Sequence, residues 1–158
     1  MSAVLEFPVR PEARPYVEAF AESAGEPQWL CDLRRRSLNR FAELGFPSRR
    51  SESWRYFDLQ PLERAPLTRA VPASVDAMPS QSGLREGRAM LRLLDGRGIS
   101  AFSGELPDGI WFYPTRRAIG ERPGLVRETM LSDGDVGRPF AALNAALFAD
   151  GFVLDVAP

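Results

Sequence analysis

Between Gln60 and Gly87 the chain carries Pro61, Pro66, Pro72 and Pro79, scattered among serine, alanine and glycine. Proline has no amide hydrogen to give to a sheet ladder, and inside a helix its ring collides with the carbonyl four residues back. A regular element of ordinary length does not pass through such a stretch, so residues 60–87 read as a linker or arm. This divides the chain into a helical N-terminal region (1–59), the proline-rich arm (60–87) and a small α+β unit (88–158). A chain near 150 residues can bury roughly 68 to 70% of its unfolded surface, which favours one domain or one with an appendage.

The N-terminal region predicts a helical hairpin. Pro11 and Pro15 open a helical stretch through Tyr16, Val17, Ala19, Phe20 and Ala21 that ends near Gly25. In the second helix Pro27 occupies the start, where proline is tolerated. Trp29, Leu30, Leu33, Ser37, Phe41 and Leu44 follow the spacing of a buried helical stripe. Gly45 then supplies a left-handed stop, Phe46 can fold back onto the last turn, and Pro47 blocks continuation.

Beyond the arm the pattern changes to short strands. Met90–Leu94 and Ile99–Phe102 flank Asp95-Gly96 as a hairpin, while Asp95-Gly96-Arg97-Gly98 is too short to cradle a phosphate. Pro107-Asp108-Gly109 turns the chain into a strand at Ile110–Tyr113. A polar helix begins near Thr115, and Gly124–Leu131 adds a further turn or two. Pro139 opens a helix with Phe140, Leu143, Asn144 and Leu147 on one side, the Asn144 amide being satisfied by a neighbouring loop. Asp150-Gly151 leads to the alternating strand Phe152–Val156. Strands this short need a helix over one face. The expectation is therefore α+β: a small mixed sheet of segments 89–94, 99–103, 110–113 and 152–156, with the 140–148 helix packed on it and Trp111 in the core.

Composition limits the chemistry. With no histidine and one cysteine, Cys31, the chain by itself offers no Cys/His set for zinc or an iron-sulfur cluster. No metal and no cofactor are expected on it. Cys31 fills a helix face; a lone thiol and the lack of a charged-then-apolar leader point to the cytoplasm. The apolar runs fall short of the roughly 20 residues that span a bilayer. There is no histidine base, no G-x-S-x-G elbow and no paired-acid pattern, so no enzyme is expected. A net charge of −1 lacks the footprint of a nucleic-acid binder. All 20 basic residues are arginine, a preference attributed to genomic base composition.

One constellation stands apart. Arg49, Arg50 and Arg55 interleave with Trp54 and Tyr56, a combination that can stack bases or hold an anion. Glu52 and Asp58 in the same segment offset much of that charge. Packing is the favoured reading: Trp54, Tyr56, Phe57 and Leu59 close against the long helix while the arginines pair with local acids or cap carbonyls. Arg49, Arg50, Trp54, Arg55 and Tyr56 remain a possible interaction surface, and a stand-alone nucleic-acid or anion-binding module is the alternative function.

Taken in order, Gly45-Phe46-Pro47, then Arg49-Arg50-Ser51-Glu52-Ser53-Trp54-Arg55-Tyr56, then Leu143-Asn144-Ala145-Ala146-Leu147-Phe148-Ala149-Asp150-Gly151 leading into a strand, the chain resembles the N-terminal region of the SufB/SufD family, and its SufD branch in particular. Members carry a helix ending in GFP, a basic segment with Glu and Trp, and an LN-x-AL-x-x-DG block about ninety residues later. The resemblance covers nearly the whole chain. It implies that the last strand is the first of a long right-handed β-helix absent here, and that the chain is an accessory and interaction region of an iron-sulfur assembly scaffold. It further implies SufB-like and SufC-like (ATPase) partners, engaged mainly through regions beyond this chain. Anaerobic reconstitution with iron and sulfide, read by absorbance and iron counting, is expected to load no stoichiometric cluster on the isolated chain. A cluster that survives Cys31→Ser would overturn this.

Overall fold

A buried helical stripe and the glycine that ends it organise the first half of the chain. The computed structural model describes residues 8–20, 25–65, 92–94, 97–99, 106–132 and 138–157. In chain order these form α1 (Arg14–Glu18), α2 (Gln28–Leu44), α3 (Gln60–Arg64), β1 (Arg92–Leu94), β2 (Arg97–Ile99), β3 (Ile110–Pro114), α4 (Thr115–Glu121), α5 (Pro123–Ser132), α6 (Pro139–Leu147) and β4 (Phe152–Val156). They fall into two units, Met1–Arg69 with Leu131–Leu147 and Ala70–Met130 with Phe148–Pro158. The fold is α+β and largely helical.

In the first unit α2 buries Leu30, Leu33, Arg34, Ser37, Leu38, Phe41 and Ala42, a stripe at the three-and-four spacing of one helix face. Trp29 and Leu44, expected in that stripe, are only half-buried. At Gly45 the backbone takes φ 66° and ψ −161° while its N–H donates to the Phe41 carbonyl at 2.8 Å. Two features disfavour a side chain there, the backbone angle foremost. The positive φ disfavours any Cβ, and a Cβ would stand 2.5 Å from Glu12 Oε1 and 2.6 Å from Arg10 Cδ. The chain then reverses and Phe46 meets Phe41 edge-on, centroids 5.6 Å apart at 90°. Tyr16 of α1 is edge-on to both rings at 5.6 and 5.7 Å, and Phe140 of α6 meets Phe46 at 5.6 Å. Such T-shaped contacts set the positive ring edge against the negative face, each worth about 0.5 to 1.5 kcal/mol beyond area burial.

The expected packing of the 140–148 helix is corrected: α6 packs on α2, within the first unit. Its buried residues are Ala142 and Ala146, one turn apart and small enough for two helix backbones to approach closely. Asn144 is exposed, and among the described residues its amide makes no loop contact of the kind expected. Arg34 explains the placement. Its Nε and Nη2 donate to the Glu26 carboxylate at 2.8 and 3.0 Å, and Nη1 donates to the Ala146 carbonyl at 3.1 Å. One buried guanidinium thus satisfies a carbonyl in the last turn of α6. Gln60–Arg64 is a second correction, since it forms α3 where an irregular arm was expected. Pro61 lies in its first turn, where the missing N–H has no helical acceptor to lose. The rest of the arm beyond Ala65 lies outside the described residues.

In the second unit β1 and β2 pair antiparallel, Arg92 with Ile99 and Leu94 with Arg97; Asp95 and Gly96, expected as the turn between them, lie outside the described residues. The second strand begins at Arg97, earlier than its apolar residues suggested. β3 and β4 form a separate antiparallel pair running from Ile110–Val156 to Pro114–Phe152. Among the described residues the single mixed sheet is thus replaced by two two-stranded antiparallel pairs. Trp111 is also corrected: it is 39% exposed and outside the core. Its neighbour is a cation, the Arg122 guanidinium, 5.5 Å from the Trp111 centroid and 5.6 Å from that of Tyr113. Arg122 also donates to Asp155 of β4 at 2.6 Å. Arg117 of α4 lies 5.7 Å from the Tyr113 ring. The α4-facing side of this strand pair is therefore held by guanidinium stacking and an ion pair.

Arg34→Ala is expected to lower stability by about 3 to 5 kcal/mol, because it strands the Glu26 charge and a buried carbonyl at once. Urea titration followed by circular dichroism checks this, and an unchanged midpoint would remove Arg34 as the anchor of α6.

Candidate functional site

The interaction surface anticipated from sequence occupies the turn that leaves α2. After Pro47 the Ser51 N–H donates to the Ser48 carbonyl at 2.9 Å, and the Arg50 N–H donates to Ser48 Oγ at 3.3 Å. A single 3₁₀ turn follows at Glu52–Trp54. Phe57 N–H then closes onto the Trp54 carbonyl at 3.0 Å, and Asp58 Oδ1 accepts the Gln60 N–H at 3.2 Å as α3 begins. Serine and aspartate accept these backbone donors in place of a helix ladder. The result is a tight irregular turn with few residues able to face inward.

That economy separates the five residues. Trp54 is half-buried, 5.1 Å from the Phe140 ring and 5.7 Å from that of Phe57, so it packs against α6. Tyr56 is 83% exposed and Phe57 59% exposed. Packing therefore holds for Trp54 and fails for Tyr56 and Phe57, because three rings within four residues cannot all turn inward from one short turn. Arg55 lies over the Tyr56 ring at 4.7 Å, a cation–π contact in the open. Arg49 pairs with Asp58 at 3.3 Å, both largely solvated. Exposed pairs of this kind are worth about 0 to 1 kcal/mol, so the contact orients Arg49 more than it stabilises the turn. The Arg50 side chain is exposed with no ion-pair partner among the described residues.

The exposed group is thus Arg50, Arg55, Tyr56 and Phe57, with Arg49 turned toward Asp58 and Trp54 beneath. Phe57 was not singled out from sequence as part of the surface; the crowding of Trp54, Tyr56 and Phe57 was the available signal. Chemically the group offers two rings and two guanidinium groups to a partner, and no nucleophile. Cys31 lies elsewhere, on α2, half-buried with its thiol 3.9 Å from the Glu26 carbonyl. Among the described residues no cluster of three or more His, Cys, Asp or Glu side chains could hold a metal ion. No described helix is long and apolar enough to cross a membrane.

Comparison with protein-family models, with characterised proteins and with solved structures found no match.

Trp54→Ala and Tyr56→Ala separate the two roles. The first is expected to cost about 1 to 3 kcal/mol, less than a fully buried tryptophan. The second should stay within about 0.5 kcal/mol, as exposed substitutions do. Paired denaturant midpoints check both, and equal losses would place Tyr56 in the packed layer.

Proposed function

We propose that this chain is the N-terminal accessory and interaction region of a SufD-like component of the SUF iron-sulfur assembly scaffold, working in the cytoplasm and performing no catalytic step itself. The observation that carries the reading is the ordered series of motif blocks from Gly45 to Gly151. One structural fact supports it. The GFP block, the Arg-Arg-x-Glu-x-Trp block and the helix of the LN-x-AL block meet in one aromatic cluster, where Phe140 touches both Phe46 and Trp54. Blocks so distant in sequence then have a physical reason to occur together, since each supplies part of one packed layer. In this reading β4 is the entry to a β-helix, and SufB-like and SufC-like partners are engaged mainly by segments beyond this chain. The cluster is cargo of the complex, with no ligand set here.

The exposed Arg50, Arg55, Tyr56 and Phe57 group favours a second reading, an anion- or nucleic-acid-binding module. Glu52 and the Arg49–Asp58 pair count against it, leaving a segment with little net positive charge. Binding of single-stranded oligonucleotide whose affinity falls steeply with salt would favour the module reading.

Deleting residues 1 to about 140 from the longer protein is expected to impair maturation of iron-sulfur enzymes in cells more than co-purification with the SufB-like partner. Enzyme activity and partner pull-down, measured in the same strain, check this. Loss of partner binding on truncation would make this region the pairing element and overturn the accessory role.

A further inference from the structure

The turn that leaves α2 presents two arginines that no carboxylate answers. Asp58 is committed elsewhere, its Oδ2 to Arg49 at 3.3 Å and its Oδ1 to the Gln60 N–H at 3.2 Å. Arg50, Arg55 and Glu52 are exposed, and none of them forms an ion pair among the described residues. Two arginines against one glutamate leave the turn a single net positive charge. The Ser51, Trp54 and Phe57 N–H groups bond back to the Ser48, Ser51 and Trp54 carbonyls at 2.9, 2.9 and 3.0 Å, and Trp54 rests on Phe140 at 5.1 Å. What the turn shows to solvent is therefore preformed, which lowers the ordering cost of meeting a partner.

Tyr56 and Phe57 are the most exposed large apolar side chains among the described residues. Phe57 leans on Trp54 at 5.7 Å, whereas Tyr56 carries the Arg55 guanidinium 4.7 Å from its centroid. A guanidinium backed by a ring keeps N–H groups at its rim for a second partner, and that planar fork matches a carboxylate through two parallel hydrogen bonds. Tyrosine, phenylalanine and arginine around a packed tryptophan are the residue types that protein interfaces concentrate. The charge decides against nucleic acid, whose binding grows with the number of phosphates neutralised. One net positive charge neutralises few, and Glu52 opposes the rest.

We propose that Arg50, Arg55, Tyr56 and Phe57 dock a short acidic segment of a partner protein, with a carboxylate on the Arg55 guanidinium above Tyr56 and an adjoining apolar side chain on Phe57. This rests on the reading of the chain as an interaction region and adds the chemistry of what it meets. Charge complementarity selects the segment, since a carboxylate answers the net positive charge and a basic segment is repelled. The apolar neighbour is needed because an exposed ion pair alone is worth little, and covering ring surface supplies the remainder. Arg50 adds a second cation in the same turn. Two rings and two guanidinium groups fall short of the ~800 Å² a side of a stable complex, so docking is weak and readily reversed.

Three probes are titrated into the isotope-labelled 158-residue chain and followed by NMR: a short blocked peptide of Glu, Leu and Pro, its counterpart with Gln for Glu, and single-stranded oligothymidine of equal net charge. The Glu peptide is expected to shift the amides from Arg50 to Phe57, the Gln counterpart to bind at least fivefold more weakly, and oligothymidine to bind no more tightly than the Glu peptide. Arg55→Lys, which keeps the charge and loses the fork, and Tyr56→Ala are each expected to weaken the Glu peptide at least fivefold with unchanged melting curves. Arg36→Lys, exposed on α2, should leave binding as it was. A Gln counterpart or an Arg55→Lys chain that binds equally well, tighter oligothymidine, or no response of the turn to the Glu peptide would each overturn the proposal. In cells, Arg55→Ala with Tyr56→Ala in the longer protein is expected to reproduce part of the maturation loss caused by deleting residues 1 to about 140. A harmful deletion beside an inert double variant removes only the acidic partner, whereas a harmless deletion removes the accessory reading itself.

Discussion

A buried guanidinium dictates the arrangement of the helical unit. Arg34 is withdrawn from water on the inner face of α2, where an uncompensated charge costs several kcal/mol. Its donors reach the Glu26 carboxylate before the helix and the Ala146 carbonyl at the end of α6. That requirement joins segments 112 positions apart in sequence. It also aligns the Ala142 and Ala146 side of α6 with the stripe of α2, which lets Phe140 reach the aromatic cluster. A lysine would place one compact charge there; arginine's planar fork serves the carboxylate and a carbonyl together.

Around that anchor, each aromatic residue is buried according to the geometry of its turn. Gly45 reverses the chain within one residue, so Phe46 is carried back under Phe41 and Tyr16. The next turn is tighter and shorter, and it brings only Trp54 inward. Tyr56 and Phe57 are left at the surface beside Arg55. Burial and exposure are thus separated within four residues, the inner ring holding the turn to α6 and the outer ones standing in solvent. Ser37 shows that this unit carries some cost, since its buried hydroxyl has no partner among the described residues. An unmet hydroxyl costs on the order of 1 to 3 kcal/mol.

The strand pair of the second unit inverts the usual division of a half-covered sheet. Its helix-facing side holds Trp111, Tyr113 and Asp155 under two arginines, while Phe152, Leu154 and Val156 lie outward. Cation–π contacts and one ion pair can hold α4 in place at modest cost because the arginines remain partly solvated. Phe152, Leu154 and Val156 are exposed on the opposite face of the pair.

Much of the local structure was legible in the sequence, because it rests on interactions between near neighbours. The Gly45-Phe46-Pro47 stop, the α2 stripe, the antiparallel pairing of β1 with β2 and the strands at Ile110 and Phe152 follow from spacing and turn chemistry. Other features depended on distant partners. Arg34 lies in the α2 stripe by position, yet its burial is tolerable because partners such as Glu26 and Ala146 meet it there. Periodicity marked a helix at Pro139–Leu147 but could not say which surface it covers, and Ala142 and Ala146 fit the backbone of α2 as no strand required. Pro61 signalled an irregular arm until the residues after it supplied a helix to begin. Trp111 and the surface rings were misjudged for the same reason: hydrophobicity states what burial would gain, and only tertiary packing decides which side chains have a surface to be buried against.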